Sequence, residues 1–139
     1  MELVGHRTTE NGIILGDYDP NASTPQLASG NNSMAFGTAN QATADYAVGI
    51  GLANTVSEMY AFGVGYSNTV AALGAYVIGS SNNVGTSASR SMVMGCTNTA
   101  NNKYSTIFGR DCVSNGNNST LVGRGLNSNA DHAYSRCEE

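Results

Sequence analysis

Tryptophan is absent from this chain of 139 residues, proline occurs twice, and only 12% of the side chains are charged. Three Phe, five Met and seven Tyr must carry much of the large apolar area, so a core of ordinary thickness is not expected. No stretch is basic enough to follow a phosphate backbone, which excludes nucleic acid as a partner. No apolar run is long enough to span a bilayer, and M-E-L-V-G-H-R has no apolar stretch of the length a secretory signal needs. Taken as written, the chain is expected to be made in a cytoplasm and to have no membrane insertion of its own. Cys96, Cys112 and Cys137 are odd in number, with no C-x-x-C pair and no clustered His. Free thiols are expected rather than zinc.

Catalytic patterns are missing too. His6 and His132 have no acid and nucleophile at a recognisable spacing. G-I-G, G-V-G and G-R-G lack the Lys and helix of a phosphate loop. Asp17, Asp19 and Asn21 open like a calcium loop, but Ala28 stands where the closing Glu would be, so a polar turn is expected there. These absences predict a protein that is not an enzyme and uses no cofactor and no metal.

Glycine, by contrast, occurs 17 times, among many Asn, Ser, Thr and Ala. A seven-residue unit recurs: small or polar residues, three apolar residues, then a glycine. Aligned on that last residue, the units are Glu10–Gly16, Asn31–Gly37, Thr43–Gly49, Ser57–Gly63, Leu73–Gly79, Ser89–Gly95, Lys103–Gly109 and Asn117–Gly123, with a degenerate Asn129–Ser135. From Gly37 onward the spacing runs from 12 to 16 residues, a repeat architecture over nearly the whole chain.

Three apolar residues are too few for a helix, and the flanking Gly, Asn and Ser would stop one, so each unit reads as a short strand and a turn. Alternate strand residues face opposite ways. The first and third positions are mostly large: Met34, Phe36, Tyr46, Val48, Tyr60, Phe62, Tyr76, Ile78, Met92, Met94, Phe108 and Val122. They are expected to fill the interior of each coil. The middle positions are apolar in every copy, including Ala35, Ala47, Ala61, Val77, Val93, Ile107 and Leu121. A strand with one wet face would be polar there, so both faces are expected to be buried. A coil of about 14 residues has room for one thin interior. The second face is therefore assigned to other copies, with the middle residues lining the axis of a closed homo-oligomer. The step from Ala to Val, Ile and Leu predicts an axis that widens toward the carboxyl end.

Between units lies a second pattern, an Asn followed by a small apolar residue: Asn40 with Ala42, Asn54 with Val56, Asn68 with Val70, Asn83 with Val84, Asn98 with Ala100. It reads as the return strand of each coil, with Asn side chains placed to hydrogen-bond from coil to coil.

The units N-N-S-M-A-F-G, T-A-D-Y-A-V-G and S-E-M-Y-A-F-G resemble the N-S-V-A-I-G repeats in the heads of trimeric autotransporter adhesins of the YadA type, over about residues 31–123. The same repeat is familiar from bacteriophage fibres. The resemblance implies an all-β, left-handed parallel β-roll, a β-solenoid of short stacked coils assembled as a homotrimer. It also implies binding to host surfaces or matrix proteins. The chain departs from that family in having no signal peptide, neck, stalk or membrane-anchor barrel, and in Val, Ile or Leu at several middle positions.

Three segments are expected: an amino-terminal docking or capping piece with a Pro-containing loop (1–30), the roll (31–123) and a carboxyl-terminal cap (124–139). The resulting expectation is a structural trimeric fibre or spike of a phage-like particle, held to other particle proteins by its amino-terminal segment. Its place would be a virion or extracellular particle after cytoplasmic synthesis. An adhesive role toward a host-surface glycan or protein is included. The alternative is the head module of a bacterial adhesin that binds host matrix at the cell surface. Net charge is −4, but residues 1–89 hold Arg7 against six acids, while residues 90–139 hold five basic groups. Arg110 and Arg124 each directly follow a unit's glycine, so they are expected to stack one coil apart on one corner, as a contact for an acidic ligand or as a solvated corner.

Overall fold

The computed structural model describes residues 6–7, 11–17 and 23–137. Its first half runs β1 (His6–Arg7), β2 (Ile13–Asp17), β3 (Leu27–Ala28), β4 (Met34–Thr38), β5 (Gln41–Ala42), β6 (Val48–Leu52), β7 (Thr55–Val56), β8 (Phe62–Tyr66) and β9 (Thr69–Val70). The second half runs β10 (Tyr76–Ser80), β11 (Asn83–Val84), β12 (Met92–Cys96), β13 (Thr99–Ala100), β14 (Thr106–Arg110), β15 (Val113–Ser114), β16 (Thr120–Arg124), β17 (Asn127–Ser128) and β18 (Tyr134–Arg136). There is no helix among the described residues. Long strands stack on long strands in a ten-stranded sheet and short strands on short strands in an eight-stranded one. All neighbours are parallel except β1, which lies antiparallel on β2. The chain is thus a parallel β-solenoid of about eight coils.

The ladder begins at β2, ahead of the boundary expected at residue 30, and runs to β18, past the one expected at residue 123. Asp19 and Asn21 lie outside the described residues, as do parts of both terminal segments.

The register is steadier than the unit alignment implied. Gly37 pairs with Gly51, not Gly49, and Gly51 pairs with Gly65, not Gly63. The closing row is Gly16, Gly37, Gly51, Gly65, Gly79, Gly95, Gly109 and Gly123, and a Cβ on Gly123 would meet Cys137 at 2.7 Å. In G-I-G and G-V-G it is the second glycine that closes the unit. Ser135 pairs with Leu121 and belongs to the middle row instead.

The reason for glycine in this row is crowding together with backbone conformation. At Gly65, φ is +123° and a Cβ would lie 1.9 Å from the carbonyl oxygen of Gly79. Only a residue without Cβ lets successive coils approach this closely.

The two faces are exchanged relative to the sequence-based expectation. The middle residues Ala35, Val77, Val93, Ile107 and Leu121 are fully buried inside a single chain, so they cannot line an axis between copies. Ala47 and Ala61 are buried as well, but they precede their strands. The middle places of β6 and β8 belong to Gly49 and Gly63. The opposite face, expected to be coil core, points outward: Met34, Phe36, Val48 and Phe62 are half-buried, while Tyr76, Ile78, Met92, Met94, Phe108 and Val122 are exposed. Tyr46 and Tyr60 are exposed turn residues, not strand residues.

Volume explains the exchange. Each coil is two facing strands, and its interior holds one side chain from each. Gly49 and Gly63 share their coils with Val56 and Val70, whereas Ile107 and Leu121 share theirs with Ser114 and Ser128. A Cβ on Gly63 would come within 2.9 Å of Val56 and 3.1 Å of Val70. Toward the carboxyl end Ile107 and Leu121 are offset by the smaller Ser114 and Ser128, while Val77 with Val84 makes the fifth coil a fuller one.

A buried amide ladder closes the corner after each of the first six long strands. It comprises Gln26, Asn40, Asn54, Asn68, Asn82 and Asn98, all nearly inaccessible to solvent. Asn82, not Asn83, is the member from the fifth coil. Asn68 Nδ2 donates to Asn54 Oδ1 at 2.8 Å and to the Gly79 carbonyl at 2.8 Å, while its Oδ1 accepts from the Asn82 backbone N–H at 3.1 Å. Along the ladder each amide thereby satisfies the polar backbone of the next coil, as buried groups require.

Candidate functional site

The outward face of the long-strand sheet is largely apolar, with Thr106 and Thr120 interrupting one row toward the carboxyl end. Alternation sends Ile13, Met34 and Phe36, Val48 and Ile50, Phe62 and Val64, and Tyr76 and Ile78 to this side. Met92, Met94, Phe108 and Val122 continue it. Tyr76 is 51% exposed, Ile78 43% and Met92 42%. Phe62 and Tyr76 lean together, with ring centroids 5.9 Å apart. Eight strands, at ~4.8 Å per strand and ~3.3 Å per residue over their first three positions, present roughly 400 Å², bordered by Thr38, Ser80, Cys96, Arg110 and Arg124 at the fifth position. That is within the range of the largest patch on an ordinary monomer, which often marks an interaction site, and a parallel sheet is normally covered on both faces.

Comparison with family models, curated proteins and solved structures finds no match to this chain. The surfaces themselves therefore carry the functional reading.

At the far end of the same strands is the charged corner. Arg110 and Arg124 are partners in register, as their positions after the closing glycines predicted. Asp111 takes the corner position next to them, with φ +57°. Its Oδ2 lies 3.4 Å from Arg110 Nε and 3.8 Å from Arg124 Nε, and its Oδ1 accepts from the Thr97 hydroxyl at 2.5 Å. One carboxylate thus orients both guanidinium groups and leaves the trio with a single net positive charge. Sequence reasoning missed Asp111, although it immediately follows Arg110.

Cys96 stands in register with Arg110, half-buried, and its thiol is held below the ordinary range by the Ser80 and Thr97 hydroxyls. Cys112 is buried beyond the end of the amide ladder, where its backbone N–H donates to Asn98 Oδ1 at 3.1 Å. Cys137 is exposed, and all three thiols are free.

The turns that enter the long strands form the opposite margin. There Asp131 Oδ1 accepts from the Asn117 backbone and side-chain amides at 2.7 and 3.0 Å, which holds its carboxyl below the usual range. Asp45 makes the same pair of contacts with Asn31. Tyr46 and Tyr60 stack on this margin with centroids 5.1 Å apart and planes 12° from parallel. His132 is an exposed residue of the last turn.

Proposed function

We propose that the chain is a structural, self-associating rod: a homotrimeric β-roll head, left-handed as the repeat resemblance implies, that builds a fibre or spike of a phage-like particle. The observation that carries this reading is the exposed apolar face of the long-strand sheet. The apolar rows, roughly 400 Å², and their polar border together approach the ~800 Å² that each partner buries in a standard interface, an apolar centre with a polar rim. Copies of the same chain are the economical occupant, because a closed ring covers the face on every copy at once. An adhesive role toward a host-surface glycan or protein fits the polar and aromatic margins that such packing would leave outside. Attachment to other particle proteins through the amino-terminal segment belongs to the same reading.

The test is the mass of the chain in solution, by light scattering behind a sizing column with reductant present. A species near three times 14.3 kDa is expected. A stable monomer at micromolar concentration would sink the proposal, because the apolar face would then be tolerated bare.

A further inference from the structure

One residue type at one turn breaks a continuous ridge. The turns entering successive long strands place Tyr46, Tyr60, Gly74, Arg90 and Tyr104 in one row, with φ between +56° and +60° throughout. Backbone bonds join turn to turn: Gly74 N donates to the Met59 carbonyl at 3.0 Å and Arg90 N to that of Leu73 at 2.9 Å. Tyr46 and Tyr60 stack on each other, and Arg90 Nη1 donates to the Tyr104 hydroxyl at 3.2 Å. Between these two pairs stands Gly74, with no side chain.

Neither conformation nor crowding demands that glycine. Tyr and Arg hold the same positive φ in the turns on either side. A Cβ on Gly74 would meet nothing closer than Arg90 Cγ at 3.7 Å, an ordinary contact, whereas the closing glycines have a carbonyl at about 2 Å. The row therefore contains a notch one side chain tall. Tyr60 and Arg90 are two coils apart, ~9.6 Å at ~4.8 Å per coil, so a ring seated between them would lie about 4.8 Å from each. That is close to the 5.1 Å at which Tyr46 already stacks on Tyr60.

The geometry points to a binding notch for the ring of an acidic saccharide, a hexuronate, between Tyr60 and Arg90. The face of a tyrosine ring is electron-rich and receives the C–H face of a pyranose. Tyr60 is 55% exposed, and its second face is turned toward the empty place. Arg90 supplies the selective contact. Among the described residues it has no carboxylate partner, and its bond to the Tyr104 hydroxyl orients the guanidinium without neutralising it. A carboxylate on the ring takes the guanidinium's remaining donors in charge-assisted hydrogen bonds. Met59 and Leu73 add an apolar flank. The notch is independent of the assembly proposed above, since a single chain carries it whole.

The test uses the full chain with two probes, a hyaluronan hexasaccharide, which contains glucuronate, and neutral cellohexaose. Binding is followed through the Tyr60 ring resonances and through tyrosine emission, which no tryptophan obscures. The hyaluronan probe is expected to shift the Tyr60 signals saturably. Gly74→Tyr, which fills the notch with a residue that the neighbouring turns accommodate, is expected to weaken binding about tenfold or more, and Arg90→Gln about tenfold. Gly74→Ala should bind within about threefold of the parent, because a methyl group leaves most of the space open. Melting curves of each variant establish that it folds. Binding by Gly74→Tyr equal to the parent's would overturn the notch. So would Tyr60 signals that neither saccharide moves at millimolar concentration, or that respond only to a free aromatic probe such as phenol. Equal affinity for cellohexaose would overturn the acidic assignment.

Discussion

Two glycines at this chain's turns and strand ends serve opposite purposes. Gly65 is compelled by φ +123° and by the Gly79 carbonyl that a Cβ would strike, whereas Gly74 occupies a conformation that Tyr and Arg adopt next door. Replacing each by Ala should separate the two cases. Gly65→Ala is expected to cost about 3 kcal/mol or more, because the coils must part. Gly74→Ala should cost only the strain of one left-handed L-residue, about 1–2 kcal/mol, because no backbone atom stands in its way. Urea unfolding of the two variants measures the difference, and equal losses would mean that the approach of successive coils is softer than the geometry requires. The same residue type was legible in the sequence only as a turn signal. Which glycine was forced depended on the neighbouring coil, which lies 14 residues away.

Among the elements, the entry turns hold themselves by side chains that reach one coil back or forward. The Asp131 carboxylate receives two amide donors from Asn117, and its pKa is lowered. A group whose folded pKa is depressed stabilises the fold above its unfolded value, ~3.9 for Asp, and that contribution is lost as pH falls through the lower folded value. Hydrogen exchange at the Asn117 amide is therefore expected to lose protection only as pH falls below the ordinary Asp range. Asp131→Asn, which keeps an acceptor oxygen but does not titrate, should abolish this pH dependence. Persistence of the same acid response in that variant would assign it to another group. Turn pairs of this kind were not legible beforehand, because Asn117 and Asp131 become neighbours only once the coil length is known. The amide ladder was partly legible, since an Asn recurs after most units. Gln26 was missed although it sits 14 residues before Asn40, because its longer side chain broke the pattern.

For the whole molecule, the question is what covers the outward face of the long-strand sheet. Substituting Ile78→Asp and Met94→Asp places charge at its centre without touching the interior, since both side chains point outward. The variants are expected to run as monomers by light scattering while melting within a few degrees of one another, because charge must be desolvated to remain in an apolar interface. An unchanged trimer would move the contact to another surface. A monomeric parent would remove the assembly altogether.

Repeat composition and the strand-and-turn unit were determined by the sequence alone. They follow from local chemistry: three apolar residues between Gly, Asn and Ser can form nothing longer than a short strand. Tertiary structure decided which side was inside. In β6 and β8 the interior residue is itself a glycine, so alignment on the first glycine slid those units by two residues and hid the even 14-residue spacing from Gly37 to Gly79. The interior between two facing strands holds at most a pair the size of Val77 with Val84, elsewhere Gly with Val or Leu with Ser, and the large Met, Phe and Tyr side chains are left on the surface. Size, which sequence reading takes as the mark of a core, here marks the outside, because a coil this thin has no room for it.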